Sequence, residues 1–171
     1  MNVTIRLATP ADADDMARVV MRSWDVAYKD IVPDDVLREK NATRPAQYKR
    51  IITEENTTYY VIQTDGKTVG IMCVAPTQDD DLSDSVYELQ VLYLHPDYYR
   101  KGLGAQAMAF AFDIARGLGK TAMTLWVLTE NTNAIRFYEK CGFTADGRIG
   151  AHNMGKTTEC IKKCIRMRAG L

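Results

Sequence analysis

An excess of charge of either sign is missing from this 171-residue chain, in which 22 Lys and Arg side chains are met by 22 Asp and Glu. Nothing in that balance draws it to nucleic acid or to an anionic membrane, so a partner must be recognised by a local surface. Long apolar runs are missing too. No stretch approaches the roughly 18 residues a bilayer-spanning helix needs, and the opening MNVTIRLATPADADD has no apolar signal core. The expected place of work is the cytoplasm. Cys73, Cys141, Cys160 and Cys164 make no C-x-x-C pair, which argues against a zinc site or a disulfide framework and for reduced, partly buried thiols. No metal is expected. No internal repeat or low-complexity linker divides the chain, and 46% hydrophobic content suffices for one core, so a single domain over residues 1–171 is the expected organisation.

What is present centres on Tyr87 to Ala105, YELQVLYLHPDYYRKGLGA. It reads as an apolar strand, a proline turn and a glycine-bearing loop that opens onto a helical pattern, AQAMAFAFDIA. The N–H groups of such a loop and of the first helical turn have no intrahelical partner, and the helix dipole adds positive charge, so a phosphate or diphosphate suits the site. Gly102 and Gly104 let the main chain approach the oxygens, and Arg100 and Lys101 can supply full charges. Two phosphate motifs fail here. A P-loop needs Lys-Ser/Thr after its last glycine, where this chain has Ala105-Gln106. A dinucleotide fingerprint needs its strand immediately before and an acid about 20 residues on, where no carboxylate lies around Ala122.

A third reading rests on two stretches. The first is Leu92-Tyr93-Leu94, His95-Pro96, then Tyr99-Arg100-Lys101-Gly102-Leu103-Gly104; the second is Asn131-Thr132-Asn133-Ala134-Ile135-Arg136-Phe137-Tyr138-Glu139-Lys140-Cys141-Gly142-Phe143. In order and separation these resemble the two motifs of the GCN5-related N-acetyltransferase (GNAT) family, with Tyr99 standing where the family has Gln or Arg. The resemblance implies an α/β (α+β) fold: a central mixed, mostly antiparallel sheet of six to seven strands, flanked by helices and splayed between its fourth and fifth strands. It implies acetyl-CoA as cosubstrate, held at Leu92, Tyr93, Leu94, Tyr99, Arg100, Lys101, Gly102, Leu103, Gly104 and Ala105, with Asn131 and Ala134 beside it. The acceptor would be the primary amine of a small molecule or a protein. A homodimer through the C-terminal strands fits the same resemblance.

The rest of the chain fits the order βααβββαβαββ. Val3 to Leu7 alternates as a strand, and Thr9-Pro10-Ala11-Asp12 starts a helix that carries Met16, Val19, Val20 and Trp24 on one face. Trp24 and Tyr28 share a side at i, i+4; core packing explains them, and so does a wall of the acceptor site. Pro33 interrupts, and helices are expected around Asp34–Lys40 and Arg44–Glu54. Thr57–Gln63 and Thr68–Ala75 read as a hairpin about Asp65-Gly66. Asp79-Asp80-Asp81 with Asp84 reads as a solvated loop, or as an attractor for cationic amines. Thr121–Val127 is a further strand, and another is expected near Glu159–Met167. The basic residues Lys156, Lys162, Lys163, Arg166 and Arg168 read as a solvated face.

Transfer to an amine poses two proton problems. Keeping a lysine-like amine neutral at pH 7 costs about 4.6 kcal/mol, so a base is needed. Glu88 is the candidate: alternation puts it with Gln90 as the polar members of a face otherwise made of Val86, Leu92 and Leu94. A solvated or strand-paired glutamate is the competing reading. The leaving thiolate needs a donor, and Tyr138 matches the family's tyrosine. A phenol loses its proton about 2 kcal/mol less readily than a thiol, so a hydrogen bond to developing charge is the safer role than full transfer. The resemblance implies that main-chain N–H groups around Leu92 to Leu94 serve the oxyanion, which they can do only if the strand parts from its neighbour, often at a bulge. A non-catalytic acyl-CoA-binding module would keep the cradle without needing Glu88 and Tyr138.

Overall fold

The alternating Val3–Leu7 forms β1, and the hairpin forms β2 (Tyr59–Thr64) and β3 (Lys67–Pro76). Asp65 (φ 49°) and Gly66 (φ 77°) both adopt the left-handed conformation, as a two-residue turn matched to strand twist requires. The structure, a computed structural model, describes residues 2–54 and 58–171. Thr57, the first residue of the expected strand, lies outside the described residues. With β4 (Val86–Leu94), β5 (Ala122–Leu128), β6 (Thr144–Asn153) and β7 (Ile161–Gly170), the strands form one sheet in the order β1-β2-β3-β4-β5-β7-β6. Every neighbouring pair is antiparallel except β4 and β5. This is the mixed, mostly antiparallel sheet expected.

Four α-helices cover it among the described residues: α1 (Ala13–Ala27), α2 (Asp34–Glu54), α3 (Leu103–Gly117) and α4 (Thr132–Lys140). On one face, Leu103, Ala107, Met108 and Ala111 of α3 pack on Met72, Val74, Leu89, Met123, Leu125 and Met167. On the other, Met16, Val20 and Trp24 of α1 and Leu37 and Tyr48 of α2 pack on Val61, Ile71 and Leu128.

Two helical stretches were expected between Asp34 and Glu54, and the structure joins them. α2 runs unbroken through this segment with Pro45 inside it. A proline there removes a hydrogen bond and crowds the preceding turn. Burial of Leu37, Tyr48 and Ile51 on one side of the same helix offsets that cost.

α1 is held at its start by charge. Asp12 accepts both guanidinium arms of Arg6 at 2.8 Å, and the Thr9 N–H and hydroxyl at 2.8 and 2.9 Å. That pairing, with the Arg6 hydrogen bond its largest cause, holds the Asp12 carboxyl down at about 2.

Candidate active site

The site is made by two irregularities in β4. Against β3, Cys73 faces Val91 and Val74 faces Leu89, so Gln90 is an extra residue with no partner, a β-bulge. Against β5, β4 is paired only from Val86 to Glu88, opposite Ala122 to Thr124. Beyond Glu88 the strands part. Main-chain N–H groups of 89–94 that point away from β3 therefore have no strand partner among the described residues.

The bulge also changes which side chains share a face. Leu89 lies in the core under α3, and Leu92 and Leu94, an odd number of residues later, pack on that same core. Val91 and Tyr93 pack instead with α1 and α2. The single face of Val86, Glu88, Gln90, Leu92 and Leu94 read from strict alternation is thus wrong beyond Gln90, because one inserted residue inverts the pleat. Glu88 lies on the side opposite Leu89, with Val91 and Tyr93.

The gap between the strands opens a cleft of about 1200 Å³. Its walls bring together Glu88, Leu92, Tyr93, Leu94, Tyr99, Arg100, Gly102, Gly104, Ala105, Asn131, Ala134, Tyr138, Trp24 and Tyr28. Two expected residues stand apart. The Leu103 side chain is in the core, 1% exposed, and the Lys101 ammonium lies 4.9 Å from the centre of the Tyr98 ring rather than in the cleft.

At one end, α3 begins at Gly102, whose φ of 79° brings the chain into the helix without a side-chain cap. The first bond of this helix to the loop runs from the Gln106 N–H to the Gly102 carbonyl at 3.1 Å, so the N–H groups before Gln106 face outward. Arg100, at φ 59°, is also left-handed, which for an arginine is strained. The Tyr99 N–H is not among the free donors, since it bonds to the Pro96 carbonyl at 3.0 Å. Its phenol lies 3.3 Å from the Ser23 hydroxyl, tying the loop to α1. A Cβ on Gly104 would sit 3.1 Å from the Phe137 ring, so this glycine lets α3 close on α4.

Asn131 turns its side-chain oxygen to the Ala134 N–H at 3.2 Å and so caps α4 at the cleft wall. Tyr138, in that helix, is packed against Phe137 and Phe143. Burial pushes its phenol well above the ordinary range, so it remains protonated and able to donate. Tyr28 is raised in the same way, first by burial and then by the neighbouring Tyr93. Trp24 meets Tyr28 edge to face at 4.8 Å and lies 6.5 Å from Tyr93, completing an aromatic wall.

Glu88 is pushed above the ordinary glutamate range by burial first and by Asp79 second; a hydrogen bond from Thr77, the Gln78 N–H and the Arg166 charge pull the other way. Its neighbour Cys73 is pushed up to about 12 by burial and the Glu88 charge, and is a neutral thiol. Sequence reasoning reads Asp79 to Asp81 with Asp84 as a solvated loop and Arg166 as part of a wet strand face. Asp80, Asp81 and Asp84 are exposed as expected; the corrections fall on Asp79, which is partly buried, and on Arg166. Arg166 is 4% exposed and pairs with Asp79 at 3.0 Å, Asp81 at 2.7 Å and Asp146 at 2.7 Å. Trp126, also in the cleft wall, donates to Asp79 at 3.1 Å. Only cross-strand register, which places Trp126 opposite Arg166, shows this group. Among the described residues, no group of three His, Cys, Asp or Glu is placed to hold a metal ion.

The mixed sheet thus parts beside a helix N-terminus, over a carboxylate and a buried phenol. The chain belongs to the acetyltransferase (GNAT) family, whose model matches residues 18–143, and with that family to the acyltransferases. An uncharacterised N-acetyltransferase of Mycobacterium bovis is 30% identical over 148 residues, covering 83% of this chain and 92% of the relative. Another, of Methanocaldococcus jannaschii, is 27% identical over 141 residues, covering 82% of this chain but 60% of the longer relative. Among solved structures, the PaiA N-acetyltransferase of Thermoplasma acidophilum in complex with coenzyme A superposes with a TM-score of 0.76, covering both chains entirely at 19% identity. The last likeness is one of fold.

Proposed function

We propose that this protein, as one domain over residues 1–171, moves the acetyl group of acetyl-CoA to a primary amine by direct attack of the amine on the thioester. The observation that carries the reading is the parting of β4 from β5 just past Glu88, which puts a shielded carboxylate, unpaired strand amides, a helix N-terminus and Tyr138 along one cleft. The diphosphate would lie against the N–H groups from Arg100 to Ala105, with the Arg100 side chain nearby. The acyl chain would run between the strands toward Glu88.

Each residue then has one task. Glu88 takes the proton from the attacking amine; its raised pKa makes it a stronger base than an ordinary carboxylate once ionised. Strand amides beyond Glu88 stabilise the carbonyl oxygen as it becomes negative. Tyr138 donates a hydrogen bond to the departing sulfur; with its own pKa raised it holds its proton, which favours stabilisation over transfer. Trp24, Tyr28 and Tyr93 wall the acceptor side. The amine belongs to a small molecule or to a protein, and the bare edge of β6, with Ile149 60% exposed, is where a second copy would add. Among the described residues no helix is long and apolar enough to cross a membrane.

Release of free thiol from acetyl-CoA tests the proposal, using a panel of polyamines, amino acids, aminoglycosides and peptides with free N-termini or lysines. At least one amine should raise release well above hydrolysis. Release that no amine accelerates would refute it.

A further inference from the structure

The loop between β3 and β4 does not stay beside those strands. It passes over β5 and is gripped from β7, where both Nη atoms of Arg166 meet Asp81 at 2.7 and 2.8 Å and Nη1 also meets Asp79 at 3.0 Å. The third side of the guanidinium, Nε, donates to Asp146 of β6 at 2.7 Å. Trp126, directly across from Arg166 in the β5–β7 register, donates its indole N–H to the same Asp79 oxygen that Arg166 holds. One buried cation thus gathers three carboxylates from two segments, and Asp79 is fixed from two directions.

We propose that Arg166 is a positioning residue for the transfer: by clamping the β3–β4 loop across the sheet it holds the Asp79 carboxylate beside Glu88 and the Trp126 indole at the cleft wall. The kinetic consequence rests on Glu88 being the base; the placement of Asp79 beside Glu88 does not. Register sets Glu88 opposite Ala75 of β3 and Thr124 of β5, and Trp126, two residues beyond Thr124 on the same face, holds Asp79 at 3.1 Å; the groups that act on the Glu88 charge are accordingly Thr77, the Gln78 N–H and Asp79 from the loop and Arg166 from β7, with Cys73 of β3 facing it. Asp79 is the anion among these. Its presence, weighed against the smaller pull of Arg166, resists ionisation of Glu88 and so raises its proton affinity. A lysine in place of Arg166 keeps the charge but lacks the planar fork that engages three carboxylates at once, so the loop would loosen while the local charge stayed the same.

Carbon-13 NMR titration of the Glu88 carboxyl, in wild type, Asp79→Asn, Arg166→Lys and the double variant, reads this without relying on turnover. Asp79→Asn should lower the Glu88 midpoint by about half a pH unit. Arg166→Lys should lower it in the same direction, and the double variant should go no further than Asp79→Asn alone, since a neutral amide in place of that carboxylate has no influence left to lose. A midpoint unmoved by Arg166→Lys, or two shifts that simply add, would overturn the proposal. Should Arg166→Lys not fold, Asp81→Asn, which opens the bidentate half of the clamp, carries the same expectation and the same refutation. The acid limb of kcat/KM should follow the NMR midpoint. A midpoint that moves while that limb stays fixed would sustain the clamp and refute Glu88 as the base.

Discussion

At the scale of single residues, the proposed chemistry depends on two groups, Glu88 and Tyr138, whose surroundings move their proton affinities upward. Glu88→Gln should lower kcat/KM by at least about 100-fold and remove the acid limb of its pH profile. That limb should lie above the ordinary glutamate range, activity falling as pH drops through the raised pKa. A raised acid opposes folding wherever it is ionised, so the same variant should melt no lower than wild type at pH 8, which scanning calorimetry would show. Tyr138→Phe should cost about tenfold in kcat with KM little changed, the loss of one hydrogen bond made in the transition state. Asp12 is the opposite case. Its pKa is depressed from 3.8 to about 2, so its contribution is complete above pH 4 and fades as pH falls through 2. With Arg6 partly exposed, that contribution is about 1 kcal/mol, and Asp12→Asn should remove the corresponding part of the melting-temperature decline between pH 4 and pH 2. That Glu88 and Tyr138 line the cleft was legible, Glu88 as a carboxylate in an apolar strand and Tyr138 by its place in the second motif. Arg166 and Asp79 were not, because nothing local in a chain distinguishes a buried arginine from a wet one until the strands are paired.

At the scale of elements, one inserted residue decides the site. Alternation placed β4 correctly and then failed at Gln90, where the bulge inverts the pleat and separates Glu88 from Leu92 and Leu94. A bulge has no reliable residue signature, so its position waits on the partner strand. The same holds for α2, where a gap was expected between Lys40 and Arg44 and burial of one apolar side carries the helix through. Glycines of the loop were read as access for phosphate oxygens, and for Gly104 the structure adds a packing reason. Gly104→Ala would press a Cβ against the Phe137 ring at 3.1 Å, which should destabilise the protein by about 1 kcal/mol and weaken coenzyme A binding as α3 shifts from α4. Chemical denaturation alongside a binding titration measures both.

At the scale of the molecule, the sheet divides the labour. One face carries α3, whose exposed N-terminus opens on the cleft; the other carries α1 and α2, and Trp24 of α1 with Tyr28 just after it lines the far side of the cleft. The order of elements and both motifs were visible in the chain, because hydrophobic period and turn residues are local. Which amine enters was not, because the wall proposed for the acceptor side draws on α1 and on Gly150 to His152 of β6, remote from one another in sequence. The central claim is that the amides from Arg100 to Ala105 grip the diphosphate of coenzyme A, and calorimetric titration with coenzyme A and with pantetheine, which lacks that diphosphate, tests it most directly. Coenzyme A should bind, and pantetheine should bind at least about tenfold more weakly. No heat with coenzyme A, or equal affinity for the two, would contradict the claim.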